Sequence, residues 1–255
     1  MKKYDLYIPC GSFCATAFNL KANGLRTASY PFDWVGGMTM AKSTAYILQH
    51  FENFLNKDNM SFCSEDNLFL IFKNEKGITF NHDFLKSVPF NEMFETTKKK
   101  YNRRIERFYQ NMNAASSICF LHYTNHDAES IPEAISNWEN FVKHFPNKKL
   151  ELIYIKESEN VASITAEEHS ENVSVFYVPQ TEQTPDKWKG NIPAVKTILQ
   201  NYKLTFKANL TNKSLFILKQ TQKRLLKLMA ECFPTKKLRK KARTKLNINT
   251  YMWND

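Results

Sequence analysis

The chain has 255 residues, 42% apolar and 24% charged, enough to bury a core without a disulfide or metal staple, as one large domain or two small ones. Its longest unbroken apolar run, Leu68 to Phe72, is far below the ~20 residues of a membrane span, and no apolar signal core follows Met1-Lys2-Lys3. The net charge of +11 is concentrated in residues 207–255, which carry 13 Lys/Arg against 2 Asp/Glu, so residues 1–206 form a neutral body and a general nucleic-acid binder is excluded for that body.

In chain order, Tyr4 to Ile8 alternates and is rich in β-formers, which predicts a strand. Pro9 to Ser12 breaks it, and Phe13 to Asn23 has helical spacing, with Ser12 as N-cap and Gly24 closing the helix. Tyr30-Pro31-Phe32-Asp33-Trp34 is an aromatic loop stopped by Gly36-Gly37. Its apolar area predicts that Phe32 and Trp34 are largely buried and that Asp33 points towards the region of Cys14 and His82. Thr39 to Leu55 is a second helix. Leu68 to Phe72 and Ile78 to Phe80 are short strands around an Asn74–Gly77 turn, and Asn81-His82-Asp83-Phe84 follows. Asn91 to Met112 is a long basic helix, Ser117 to Tyr123 a buried strand, and Ile131 to Phe145 an amphipathic helix. Leu150 to Ile155 and Val173 to Val178 are strands, and Ile192 to Tyr202 is the last helix of the body. The alternation predicts an α/β fold, helices layered around a mainly parallel sheet.

Cys14 falls in the first turn of a helix that follows a strand. Unpaired N–H groups and the helix dipole favour a thiolate there and can hold an oxyanion. The competing reading is a small buried residue packing helix on sheet. His82 at a strand end is of the right type to act as general base towards a thiol. On a strand His82 and Asp83 point to opposite faces, which leaves Asp33 as an alternative orienter.

Cys119, His122, His126 and Asp127 are zinc-ligand types, but strand alternation sets Cys119 and His122 on opposite faces, and no metal site is expected. Arg103 and Arg107, at i and i+4, are spaced to grip a phosphate or carboxylate, or else form a solvated face. Five irregularly spaced cysteines suit reduced thiols in a cytoplasmic protein. With 6 glycines and neither a GxGxxG nor a P-loop pattern, no nucleotide cofactor is expected, nor any other.

These segments resemble a bacterial family of uncharacterised proteins labelled papain-like cysteine peptidases. The resemblance rests on Gly11-Ser12-Phe13-Cys14, Pro31-Phe32-Asp33-Trp34, His82-Asp83-Phe84 and Arg103-Arg104-Ile105-Glu106-Arg107-Phe108, in that order, within residues 4–180. It implies Cys14 as nucleophile, His82 as its base and Asp33 or Asp83 as third member, on a papain-like α+β fold as the alternative architecture. Ser12, Trp34, Arg103 and Arg107 are the expected substrate-binding residues. Members of the family often accompany genes for cell-surface polysaccharides, which implies acyl, sugar or phosphate transfer rather than peptide cleavage.

Three functions are therefore in competition. The first is a thiol-dependent hydrolase or acyl transferase acting on a peptide, small molecule or glycan. The second is a polysaccharide-assembly transferase using Arg103, Arg107 and His82 on an anionic donor, with Cys14 structural. The third is a non-catalytic module docked to a membrane. Leu215, Leu218, Leu225, Met229 and Cys232 recur at helical spacing, and Lys236 to Lys245 adds seven basic residues. Residues 213–245 thus fit an anionic membrane surface, peripheral at the inner face of the membrane, and lack the aromatics that stack on bases.

Overall fold

The computed structural model describes residues 1–211 except Gln183 and Pro185, and beyond them only Thr221, Leu225, Leu228, Met229, Thr235, Lys237 and Leu238. The fold divides into two units, Met1–Leu204 and Thr205–Asp255. Most of the basic helix and most of the polybasic run expected in the second unit lie outside the described residues.

The first unit opens with β1 (Lys2–Tyr4), β2 (Leu6–Pro9), α1 (Ala15–Ala22), β3 (Val35–Gly36) and α2 (Met40–Leu48). An antiparallel segment follows, β4 (Ser61–Glu65), β5 (Phe69–Lys73) and β6 (Thr79–Leu85), and then the long α3 (Phe90–Ala114). The chain continues through β7 (Ser117–Thr124), α4 (Ile131–Val142), β8 (Lys149–Ser158), β9 (Thr165–Ser170) and β10 (Val173–Pro179) to α5 (Ile192–Leu199) and β11 (Tyr202–Leu204).

The central sheet has the order β2-β7-β8-β10-β9, parallel throughout except for the antiparallel edge strand β9. A second sheet, β3-β6-β5-β4, is antiparallel and is inserted, with α1 to α3, between the neighbouring strands β2 and β7. The expected mixed α/β architecture with a mainly parallel sheet is therefore present.

Period-2 alternation builds two cores on the two faces of β7. Ile118 and Phe120 point to one, with Phe32, Phe54, Phe80, Phe108 and Trp138. Cys119, Leu121 and Tyr123 point to the other, with Ala15 and Leu20 of α1 and Val195 and Ile198 of α5. Cys119 and His122 accordingly face opposite ways, and His122 stacks on Tyr154 at 4.6 Å.

Several predicted boundaries change for identifiable reasons. The strand expected at Tyr4 to Ile8 is two strands, because Asp5 turns out to accept from Ser116 N, Ser117 N and Ser117 Oγ, each at 3.1 Å. The helix expected to reach Leu55 ends at Leu48, where His50, Phe51 and Asn53 take positive φ and turn Phe51 and Phe54 into the aromatic core. The last helix stops at Leu199, since Tyr202 begins β11 and pairs with β1. Ser12 does not cap α1: its hydroxyl donates to Tyr123 O at 3.1 Å, and Cys14 occupies the N-cap position.

Candidate active site

β2 ends at the carboxyl edge of the parallel sheet, and Gly11 lets the chain bend closely over β7. A Cβ on Gly11 would fall 1.9 Å from Thr16 Oγ1 and 2.7 Å from Tyr123 N, so only glycine fits. Ser12 then donates from its backbone N to Tyr123 O at 2.9 Å, and its own carbonyl accepts from Gly37 N at 2.9 Å. These bonds fix the path of the chain into Cys14 and tie it to the Gly36-Gly37 end of the aromatic loop.

Cys14 Sγ lies 3.7 Å from His82 Nε2, across 68 positions of sequence. Cys14 is 6% exposed, whereas His82 is exposed, so the pair opens to solvent from the histidine side. The orientation of His82 comes from an irregularity in β6. The step from Leu70 to Phe72 on β5 faces the longer step from Phe84 to Phe80 on β6. The extra residues break alternation there: Phe80, Asp83 and Phe84 are all buried, and His82 between them is turned outward. Phe69 on β5 stands edge-on against the imidazole at 5.7 Å.

Burial pushes the Cys14 thiol up to about 12; its own backbone N–H opposes this, and the Asp83 and Asp33 charges add to it. Desolvation thus outweighs the helix-terminus effect that the sequence suggested, and the resting sulfur is a thiol. Burial lowers His82 below its ordinary value, the Asp83 and Asp66 carboxylates oppose that, and Lys100 reinforces it. At neutral pH the pair therefore rests as neutral thiol beside neutral imidazole. Such a pair can pass the thiol proton to nitrogen as sulfur attacks an electrophile.

The two expected orienting carboxylates are both buried nearby and both engaged elsewhere. Asp33 is fully buried and accepts from Arg26 Nε at 2.9 Å and from the same guanidinium's Nη2, which also donates to Ser29 Oγ at 2.7 Å. Burial raises the Asp33 carboxyl, against the pull of Arg26 and Arg104. Asp83 accepts from Lys100 Nζ and, at 3.0 Å, from Tyr101 Oη. Neither carboxylate hydrogen-bonds His82 among the described residues.

Phe32 is buried as expected, while Trp34 is only half-buried, its ring 5.8 Å from the Arg26 guanidinium. Arg107 donates to Ser29 O at 3.1 Å and Arg103 is exposed; the buried arginine of that stretch is Arg104, over the Tyr101 ring at 5.5 Å. Arg26, Lys100 and Asp66 were not anticipated. Arg26 and Lys100 carried no local signal, since their partners are 7 and 17 residues away. Asp66 was legible only as a turn residue.

An α/β protein with a thiol–imidazole pair beyond the carboxyl edge of a parallel sheet is the class that fold and site define. Residues 5–155 match the family described as "putative papain-like cysteine peptidase (DUF1796)", and the chain belongs to that family. The matched stretch contains Cys14, Asp33, His82 and Asp83. The chain is also similar to an uncharacterized protein of Acanthamoeba polyphaga mimivirus, 26% identical over 140 residues, covering 48% of this chain and 62% of the viral protein. The chain thus spans about three fifths of the length of that relative. No solved structure matches.

Proposed function

We propose that the chain is a thiol-dependent hydrolase or acyl transferase in which Cys14 is the nucleophile and His82 the general base. The observation that carries this reading is the 3.7 Å separation of Cys14 Sγ and His82 Nε2, supported by membership of a family with a cysteine-peptidase description. Sulfur attacks an acyl carbon while its proton passes to Nε2. The carbonyl oxygen becomes an oxyanion beside the N–H groups that open α1. Collapse breaks the bond to the leaving group, which takes the proton back from His82 and leaves a thioester on Cys14. Water or a second nucleophile, deprotonated by His82, then releases the acyl group.

The transferase reading, with Cys14 structural, has less support, because Arg107 is occupied by the Ser29 carbonyl. Peptide, small-molecule and glycan acyl donors all suit the thiol chemistry. For the second unit we retain docking to an anionic membrane surface as the accompanying proposal. Among the described residues no helix is long and apolar enough to cross a membrane.

The test is turnover of an activated thioester by the full chain. Cys14→Ala is expected to abolish turnover, and His82→Ala to slow it by about 10²–10⁴-fold, the usual span of general-base catalysis. Undiminished turnover in Cys14→Ala would overturn the proposal.

A further inference from the structure

An imidazole turns easily about its χ2 torsion, so a histidine that must present one nitrogen needs something to hold its ring. Among the described residues the hydrogen-bond contact of His82 is Cys14 Sγ itself. Asp33, held by Arg26, and Asp83, held by Lys100 and Tyr101, make no hydrogen bond to the ring. The side chain that meets the imidazole is Phe69 of β5. The two rings stand nearly perpendicular, at 85°, with centroids 5.7 Å apart. Phe69 is half-buried yet belongs to neither core, whereas its neighbours Leu70 and Phe72 pack against the first. Its backbone is held independently of its side chain. Asp66, in the turn between β4 and β5, accepts at Oδ1 from Leu68 N and Phe69 N, each at 2.7 Å, and donates from its own N to Phe69 O at 3.0 Å. On the other side Phe69 is paired with Leu85 of β6.

We propose that Phe69 is a positioning residue for His82: its ring is the wall that keeps the imidazole in the orientation in which Nε2 meets Cys14 Sγ. The proposal rests on the reading of Cys14 and His82 as a reacting pair. The irregular pairing of β5 with β6 turns His82 outward, and it also brings the ring within reach of Phe69, three positions from its register partner Leu85. An exposed imidazole with no carboxylate to orient it would spread over rotations that carry Nε2 off the sulfur. A perpendicular aromatic neighbour favours one ring plane over the others and narrows that spread. The wall is itself fixed, because the Asp66 turn and the β5–β6 ladder hold the Phe69 backbone from both sides. A half-buried phenylalanine outside both cores thus does for the ring plane what a hydrogen-bonded carboxylate does in a triad.

The test is a double-mutant cycle on the rate of Cys14 alkylation by iodoacetamide, in the full chain with Cys63 and Cys232 replaced by serine. Phe69→Leu keeps an apolar side chain and every backbone bond of the turn while removing the ring. It is expected to slow alkylation by about two- to tenfold, the span set by one edge-to-face aromatic contact. Phe69→Tyr restores the ring and should restore the parent rate. With His82 already replaced by alanine, Phe69→Leu should change nothing further, because Phe69 acts through the imidazole. An unchanged rate in Phe69→Leu, beside a slow His82→Ala, would overturn the role of Phe69 and leave the dyad standing. Equal slowing by Phe69→Leu with and without the imidazole would overturn it too, by showing a general disturbance of the fold around Cys14. If His82→Ala itself reacts at the parent rate, the dyad reading fails and this proposal fails with it, so the two failures are separable.

Discussion

Asp83 turns its carboxylate to Tyr101 Oη, 3.0 Å away, and so faces away from the imidazole of its own neighbour His82. The two adjacent residues therefore divide the work of β6. Asp83 ties the strand to α3 through Tyr101 and Lys100, while His82 is free to meet Cys14. Asp83→Ala strands a largely buried ammonium and a buried phenol, and is expected to cost roughly 2–4 kcal/mol in urea unfolding. His82→Ala removes an exposed ring and should stay within about 0.5 kcal/mol of the parent chain. Equal stability of the two variants would contradict this division.

His122 supplies a pH signature that is independent of the candidate site. It is fully buried against Tyr154 and pairs through Nδ1 with Cys10 O at 2.9 Å. Burial lowers it from 6.5 to about 4, against the Cys10 carbonyl and with help from His126. The unfolded chain takes up this proton near its ordinary value and the folded chain resists it. Stability from His122 is therefore complete above pH 6.5 and is lost as pH falls towards 4, by an amount on the order of 3 kcal/mol. Urea midpoints measured across that window should fall less steeply in His122→Phe. Parallel curves would show that other groups govern the acid limb.

The second unit is tested with vesicles. Phe206 and Leu210, one helical turn apart, are 78% and 51% exposed, and Leu225, Leu228 and Met229 are exposed as well. With the basic residues of 213–245, each contributing about 1 kcal/mol near an anionic surface, the full chain should sediment with anionic liposomes and release in high salt. A chain ending at Asn212 should stay in the supernatant. Equal sedimentation of the two would rule out the membrane role.

Much of this architecture was legible because it rests on short-range pattern. The alternation in Ser117–Thr124 separates two cores by itself, and the break between Pro9 and Ser12 sets Cys14 at a helix start. What local pattern missed depends on partners distant in sequence. The outward turn of His82 arises from the pairing of β6 with β5, which no periodicity within residues 79–85 encodes. The reassignment of Ser12 from cap to strand clamp needs Tyr123, 111 residues on. For Cys14 the sequence placed the residue at a helix start but not its depth: burial of the sulfur raises its proton affinity more than its own backbone N–H lowers it.

The central claim is that His82 activates Cys14, and the rate of Cys14 alkylation tests it most directly. Cys63 is exposed on the edge strand β4 while Cys10 and Cys119 are fully buried, so iodoacetamide will strike Cys63 before Cys14 in the unaltered chain. The measurement therefore uses a chain carrying Cys63→Ser and Cys232→Ser, followed by peptide mapping near neutral pH. The account predicts a single modified cysteine, Cys14, alkylated at least about tenfold more slowly once His82 is replaced by alanine. Equal rates with and without the imidazole would contradict it.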